Sequence, residues 1–424
     1  MKVKIVYPEF KLENKLCVAF DVGKSHLDSY SPFSNGPLQM IMNDRVRNKS
    51  NAVRGALLEY RKLASENGLE GVHVVCEPTG GFERTLLRIA HELGMTTAYV
   101  NGESVSKLRV VRQNDTGKTD QLDPRIIHLA ATQGRQLQVR DLGDGYAELR
   151  ELNVAYDQVC DQATVLRNCI HDALYRLFPD LNMSRSKLFG SCGEALVKAF
   201  GADPVSIARL SLPEFTRRMK SHARRVRTDT LNRIHSDAAI NARHVVPTVV
   251  REVQRDHLRD LYDRWRRLED RKKMLKEQMA DTFRSLPEAT SLTFPGVSDF
   301  MMARVIGETG PLSDYSSHRR LLRMAGLNIR QRTSGKYKGK DMISKKGRAR
   351  LRKILYQVVM LCLIKPGRIY SMEYVRKKGE ADASLPVIVA LMRKFLRAVF
   401  GLHRSARAFD AGRLATCESQ LKTA

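Results

Sequence analysis

The sequence lacks paired cysteines. Its seven, Cys17, Cys76, Cys160, Cys169, Cys192, Cys362 and Cys417, are odd in number and widely scattered, with no C-x-x-C pair. Neither a disulfide framework nor a structural zinc site therefore organises the chain. Long apolar runs are missing too: no stretch approaches the ~20 residues that span a bilayer, and the opening segment from Met1 to Phe10 has no apolar signal core. These two absences predict a soluble, cytoplasmic protein with no membrane partner. Aromatic residues make up only 7%, with a single Trp, which argues against a binder that relies on stacking single strands. Acidic residues are scarce relative to basic ones, 46 against 73, leaving a formal net charge of +27. Such an excess attracts polyanions, and nucleic acid is the leading partner.

What is present is enough for a folded protein of several parts. At about 100–200 residues per domain, 424 residues suggest two or three units, and the 42% hydrophobic content is that of a soluble globular chain. From Leu16 to about Thr132, short β-branched runs alternate with amphipathic helical stretches, the pattern of a sheet flanked by helices. Leu16 to Phe20 reads as a buried first strand, His26 to Tyr30 as a second, and Gln39 to Met42 as a third. Asn51 to Ser65 reads as a helix, Val72 to Cys76 as a fourth strand, Phe82 to Leu93 as a second helix and Thr96 to Val100 as a fifth strand. The predicted order is β-β-β-α-β-α-β-α.

From about Tyr146 the pattern becomes helical. Apolar positions at steps of three and four, from Leu149, Leu152 and Tyr156 through Ile170 to Leu177, make a sustained heptad, and Leu258, Leu261, Trp265, Leu268, Leu275 and Met279 repeat the register. Two long helices are expected to pair, either as an antiparallel hairpin within the chain or as a seam between two copies. Further on, Phe294-Pro295-Gly296-Val297-Ser298 precedes a helix of small and apolar residues. A Pro-Gly turn there would expose backbone N–H groups at a helix N-terminus, where Gly296 could approach a phosphate, as in a helix-hairpin-helix.

Four acids stand where chemistry is placed. Asp21 ends the first strand beside Gly23, Glu77 ends the fourth before Pro78-Thr79-Gly80, and Asp120 and Asp123 follow at a spacing of three, which puts both on one face if the segment is helical. Four acids at one sheet edge repel one another unless a cation neutralises them, so the grouping implies hard divalent metal, Mg²⁺ or Mn²⁺. Two such ions about 4 Å apart can stabilise both the attacking and the leaving oxygen of a phosphodiester displacement. Each acid also has a structural reading: Asp21 as a strand end, Glu77 as a partner of Arg84, and Asp123 as an N-cap with Pro124 behind it.

Phe20-Asp21-Val22-Gly23-Lys24, Cys76-Glu77-Pro78-Thr79-Gly80 and Lys118-Thr119-Asp120-Gln121-Leu122-Asp123 resemble the acidic motifs of the DEDD insertion-sequence transposases. The N-terminal domain of that family is RuvC-like, and its members include the pilin-gene invertase and bridge-RNA-guided recombinases. Downstream, Pro295-Gly296-Val297, Ala325-Gly326-Leu327, the segment from Ser334 to Gly339, Ile343 to Gly347, and Leu351-Arg352 are similar, in the same order, to the family's C-terminal transposase domain. The resemblance implies an α/β RNase H-like domain over 14–140, a helical coiled-coil linker over 141–285, a mainly α-helical serine transposase domain over 286–400 and a basic tail over 401–424. It also implies Mg²⁺ on Asp21, Glu77, Asp120 and Asp123, and Ser334 as the nucleophile that links covalently to DNA.

A serine hydroxyl alone is a poor nucleophile, so Ser334 needs the acids and their metal. Gly335 would let the backbone approach a phosphate, and Lys336, Lys338, Lys340, Lys345, Lys346 and Arg352 would supply charge where the phosphodiester docks. Ser344 is expected to cap the helix through Leu351. Pro124 departs from the small residue common at that place and makes Asp123 the start of a helix. The implied activity is site-specific recombination between element ends and target DNA, with a structured guide RNA as a further partner and a homo-oligomer, dimer or tetramer, to hold several strands. The alternative is a metal-dependent RuvC-like nuclease with no covalent intermediate.

Overall fold

Alternation in the first strand already assigns its faces. In the computed structural model β1 (Lys15–Val22) buries Leu16, Val18, Phe20 and Val22 on one side and Cys17 and Ala19 on the other. Only a central strand is apolar on both faces. It is flanked by β2 (His26–Tyr30), antiparallel, and by β4 (Gly71–Cys76), parallel. A short β3 (Val46–Arg47) pairs with β2, β5 (Thr96–Val100) runs parallel to β4, and β6 (Gln136–Gln138) closes the far edge antiparallel to β5. The order is β3-β2-β1-β4-β5-β6, and its antiparallel-then-parallel arrangement agrees with the RNase H-like expectation.

Helices α1 (Ser50–Glu66) and α2 (Arg84–Glu92) cover one face through Val53, Leu57, Tyr60, Leu86 and Ile89. The other face is covered by α3 (Gly102–Gln113) and α4 (Asp123–Thr132) through Val105, Ile126, Ile127 and Ala130. The described residues are 14–31, 46–113, 123–140, 142–223, 225–243, 247–330, 333–334, 337–338, 342–380, 383–407 and 409–410. The expected strand at Gln39 to Met42 lies outside them, and the third strand of the sheet is Val46–Arg47. Sequence pattern also missed β6, whose three residues are too few to show a period.

The chain divides into two compact units, Met1–Asp141 and Leu142–Ala424. The second is built on α5 (Asp144–Leu177) and α11 (Thr248–Arg284), which pack along their length. Leu149, Leu152 and Tyr156 share a core with Leu275, Met279 and Phe283, whereas Ile170, Leu174 and Leu177 share another with Leu258, Leu261 and Trp265. The start of one helix thus meets the end of the other, and of the two arrangements open to the heptads the structure forms the intramolecular antiparallel pair.

The far end is closed by α6 (Arg185–Leu188), α7 (Ser191–Phe200), α8 (Pro204–Ala208), α9 (Leu212–His222) and α10 (Thr228–Asn241). At the near end the pair merges into one core with α12 (Asp299–Thr309), α13 (His318–Met324), α14 (Ala349–Val358) and α16 (Ser384–Ser405), while α15 (Ser371–Gly379) packs on α16. The segments separated in sequence as 141–285 and 286–400 therefore share a core. The boundary at 400 falls inside α16, where Leu402 is still buried.

Arg304 of α12 ties this junction together. It is 2% exposed, lies 2.7 Å from Asp157 Oδ1 and donates to Gln357 at 2.7 Å and to Asn153 at 3.2 Å. A buried charge without such partners would be strongly destabilising. Among the described residues no helix is long and apolar enough to cross a membrane.

Candidate active site

Register places the N-terminal acids. Phe20 pairs with Cys76 across the parallel strands, and the acids each follow that pair by one residue, Asp21 as the penultimate residue of β1 and Glu77 as the residue just after β4. Asp21 is paired with Asp28 on β2. Directly opposed residues share a sheet face, so Asp28 and Asp21 lie on the face that carries Cys17 and Ala19. That face is the one covered by α4, whose first residue is Asp123. Asp28 was not singled out in the sequence, because its place opposite Asp21 follows only from the hairpin register.

The loops bearing the acids are held by residues distant in sequence. Asn48 Nδ2 donates to the Gly23 carbonyl at 3.0 Å and to the Phe82 carbonyl at 2.9 Å, joining the turn after Asp21 to the loop after Glu77. That loop is braced from inside by Glu83, which accepts from Thr79 Oγ1 at 2.8 Å and from the Gly81 N–H at 2.8 Å. Burial alone would raise the Glu83 pKa, but hydrogen bonds from its own backbone, Thr79 and Gly81 outweigh it and hold the carboxyl below its ordinary value. Gly102 supplies room: a Cβ there would lie 2.9 Å from Glu77 Oε2. Neither Asn48 nor Glu83 carries a sequence signal beyond being polar beside a turn.

Asp123 is buried and ion-paired with Arg109 of α3. Asp120 lies outside the described residues, and the helix that was to carry both acids begins at Asp123, with Pro124 second. The donor set of carboxylate oxygens is of the kind that suits a hard divalent cation, and Gly102 leaves room for the Glu77 carboxylate. Among the described residues no three His, Cys, Asp or Glu side chains stand close enough to form a metal cage.

The C-terminal motif residues lie in the second unit. Strands β7 (Ile329–Arg330) and β10 (Met342–Ile343) pair antiparallel, and between them β8 (Thr333–Ser334) pairs with β9 (Tyr337–Lys338). Ser334 is thus placed by its backbone opposite Tyr337. Gly335, Lys336 and Lys340 lie outside the described residues.

Behind the hairpin the motifs interlock. Lys345, at φ 54°, donates its N–H to the Gly326 carbonyl at 3.0 Å, and Gly347 packs so closely on Met324 that a Cβ would collide with the Met324 carbonyl. Arg352 Nη1 donates to the Ala325 and Gly347 carbonyls, both at 3.1 Å. Arg352, expected to meet nucleic acid, thus also clasps two backbone segments through its Nη1. Ser344 is not the cap of α14: its Oγ donates to Asn328 Oδ1 at 2.5 Å and accepts from the Lys346 N–H, while Arg348 occupies the cap position. Lys346 is exposed beside it.

Upstream, the Val297 N–H donates to the Phe294 carbonyl at 3.0 Å around Pro295 and Gly296, and Ser298 caps α12 through the Met301 N–H. Gly296 has φ +80°, a conformation L side chains resist, and its Cβ direction faces the Cys362 carbonyl at 3.2 Å. The turn exists as expected, yet Gly296 packs against the protein on that side.

Two family models match the chain. A transposase model of the IS110 DEDD type covers residues 18–179, the stretch holding the acids, and one described as the transposase IS116/IS110/IS902 family covers residues 290–371, the stretch holding the hairpin. No curated protein matches the sequence.

Proposed function

Because the chain belongs to the IS110-family DEDD transposases, enzymes that act on DNA, we propose that it is a site-specific recombinase of an insertion sequence that cuts and rejoins strands through a covalent serine link. The family uses divalent metal ions. Here Asp21, Glu77, Asp120 and Asp123 would hold Mg²⁺, the ion that four hard oxygen donors favour, and the bound ion would supply positive charge to the phosphodiester. The observation that supports the reading is the register of β1 and β4, in which Phe20 pairs with Cys76, the residues immediately before Asp21 and Glu77.

In the proposed reaction Ser334 Oγ attacks the phosphorus, the bond from phosphorus to the bridging sugar oxygen breaks, and the proton lost by the serine is taken up, by way of solvent, by that departing oxygen. The sugar leaves as a free hydroxyl, and the strand is held as a phosphoserine diester. Attack by the hydroxyl of another strand on that diester restores Ser334 and forms the new DNA bond. One phosphodiester is exchanged for another at each step, so no nucleotide triphosphate is consumed. Lys336, Lys338, Lys340, Lys345 and Lys346 supply charge along the strand.

The working form in this reading is a dimer or tetramer, because several strands have to be held at once, and a structured guide RNA is the second nucleic-acid partner. The net charge of +27 is ample for both. The test is a denaturing gel of protein incubated with Mg²⁺, element-end DNA and transcripts of the flanking sequence. A protein–DNA adduct lost in both Ser334→Ala and Asp21→Ala is the expected result, and its dependence on the transcript reports RNA guidance. Metal-dependent cutting without an adduct, unaffected by Ser334→Ala, would replace this mechanism with hydrolysis by a RuvC-like nuclease.

A further inference from the structure

The helical cap at the far end of the second unit contains a cavity of about 380 Å³. Thr164, Arg167, Asn168 and His171 line it from one stripe of α5, with Arg185 and Ser186 facing them from α6. Arg167, Asn168, His171, Arg185 and Ser186 have side chains that can donate a hydrogen bond, the Thr164 hydroxyl is already given to the Cys160 carbonyl at 2.9 Å, and no acid is among the lining residues. Two nitrogens are orphaned: Arg167 Nε and His171 Nε2 are buried and have no hydrogen-bond partner. Native proteins rarely leave buried nitrogen atoms unsatisfied without a ligand, a water or a function to account for them.

The cavity is also held in shape. Arg167 Nη2 is fixed by Glu269 at 3.0 Å, and its guanidinium lies over the Phe189 ring at 5.3 Å and the Trp265 ring at 5.6 Å. Phe189 meets Trp265 edge-on at 4.9 Å and His171 at 5.5 Å. Burial, and then the nearby Arg185 charge, hold the His171 pKa below its ordinary value, which favours the neutral ring, and in its Nε2–H tautomer that ring would donate into the cavity without adding a third full charge.

We propose that this cavity is a phosphate site that grips one backbone phosphodiester of a nucleic-acid strand. The ligand has to be anionic, because two guanidinium groups repel a cation, and polar, because the lining offers hydrogen-bond donors. It has to be part of a longer polyanion, because positive charge continues beyond the cavity: Lys187 of α6 donates to Thr230 at 3.1 Å, tying the site to the start of α10, directly after exposed Arg225 and Arg227. Such a contact positions a strand without reading its sequence. The proposal rests on the chain acting on nucleic acid and is independent of how Ser334 reacts.

The test uses the full-length protein with ¹⁵N-labelled histidine, titrated with inorganic phosphate, a deoxyribose dinucleotide or a ribose dinucleotide. The His171 imidazole resonances are expected to shift with a dinucleotide in wild type and to stay still in Arg185→Gln and Ser186→Asp. Both substitutions are at exposed positions, and the second adds a charge that repels phosphate. In strand-binding measurements each variant should bind about 3- to 10-fold more weakly, and Arg185→Gln should lower the salt slope by about 1. A loss confined to DNA or to RNA assigns the strand that occupies the site. A shift with inorganic phosphate but with neither dinucleotide would mean an adventitious ion only. That result, or variants that keep wild-type affinity and slope, would overturn the proposal, while an unchanged covalent adduct in the same variants would leave the recombinase reading intact.

Discussion

His73 is a polar ring in a strand otherwise made of apolar residues. It lies 2% exposed in β4, 2.8 Å from Thr96 Oγ1 and 2.9 Å from Gln136 Oε1. Burial holds its pKa below the ordinary histidine value, partly opposed by the Gln136 hydrogen bond. The sign follows from linkage: below the unfolded value of about 6.5 the unfolded chain takes up a proton that the folded ring resists, so stability falls as pH drops. The N-terminal unit should melt at a lower temperature at about pH 5.5 than at about pH 7.5, and His73→Gln, which cannot titrate, should flatten that dependence. Equal pH sensitivity in the variant would remove His73 as the cause. At this scale the sequence was legible where a residue announces itself locally: Asp21 and Glu77 each end an apolar run. Asp28, Asn48, Glu83 and Arg109 stayed hidden because their roles depend on partners that only the folded sheet brings near.

Elements were legible in proportion to their length and period. The fifth strand was read to the residue, the helices α1 and α2 to within a residue or two, and the heptads marked α5 and α11. Connections were not, since a hydrogen bond between loops leaves no periodic trace. The Asn48 tie between the β1–β2 turn and the loop after β4 is the clearest case. Replacing it with alanine removes two hydrogen bonds whose acceptor carbonyls water can reach, so the cost to folding should be about 1–2 kcal/mol. The cost to chemistry should be larger, because the tie sets the spacing of the two acid-bearing loops and a displacement of about 1 Å can slow a reaction ~10²-fold. Asn48→Ala is therefore expected to cut DNA at least ~10-fold more slowly in single turnover while its melting temperature falls only slightly. Cutting at the wild-type rate would show that the loops keep their spacing without it.

For the whole molecule, composition pointed to nucleic acid before any motif did, and charge sets how that partner is held. Two groups expected from the sequence to contact nucleic acid also have partners within the protein: Arg352 Nη1 donates to two carbonyls, and the Cβ direction of Gly296 faces the Cys362 carbonyl. With a net charge of +27, binding should be dominated by release of counterions from the phosphates. With six or more phosphates contacted, affinity for duplex DNA should fall by about 10³-fold or more between about 50 and 200 mM salt. Asp21→Asn is the informative companion: it removes a carboxylate from β1 without removing positive charge. It should abolish cutting while leaving the salt slope unchanged, which separates holding DNA from acting on it. A shallow slope, equivalent to one or two phosphates, would mean that most of the excess charge never meets DNA.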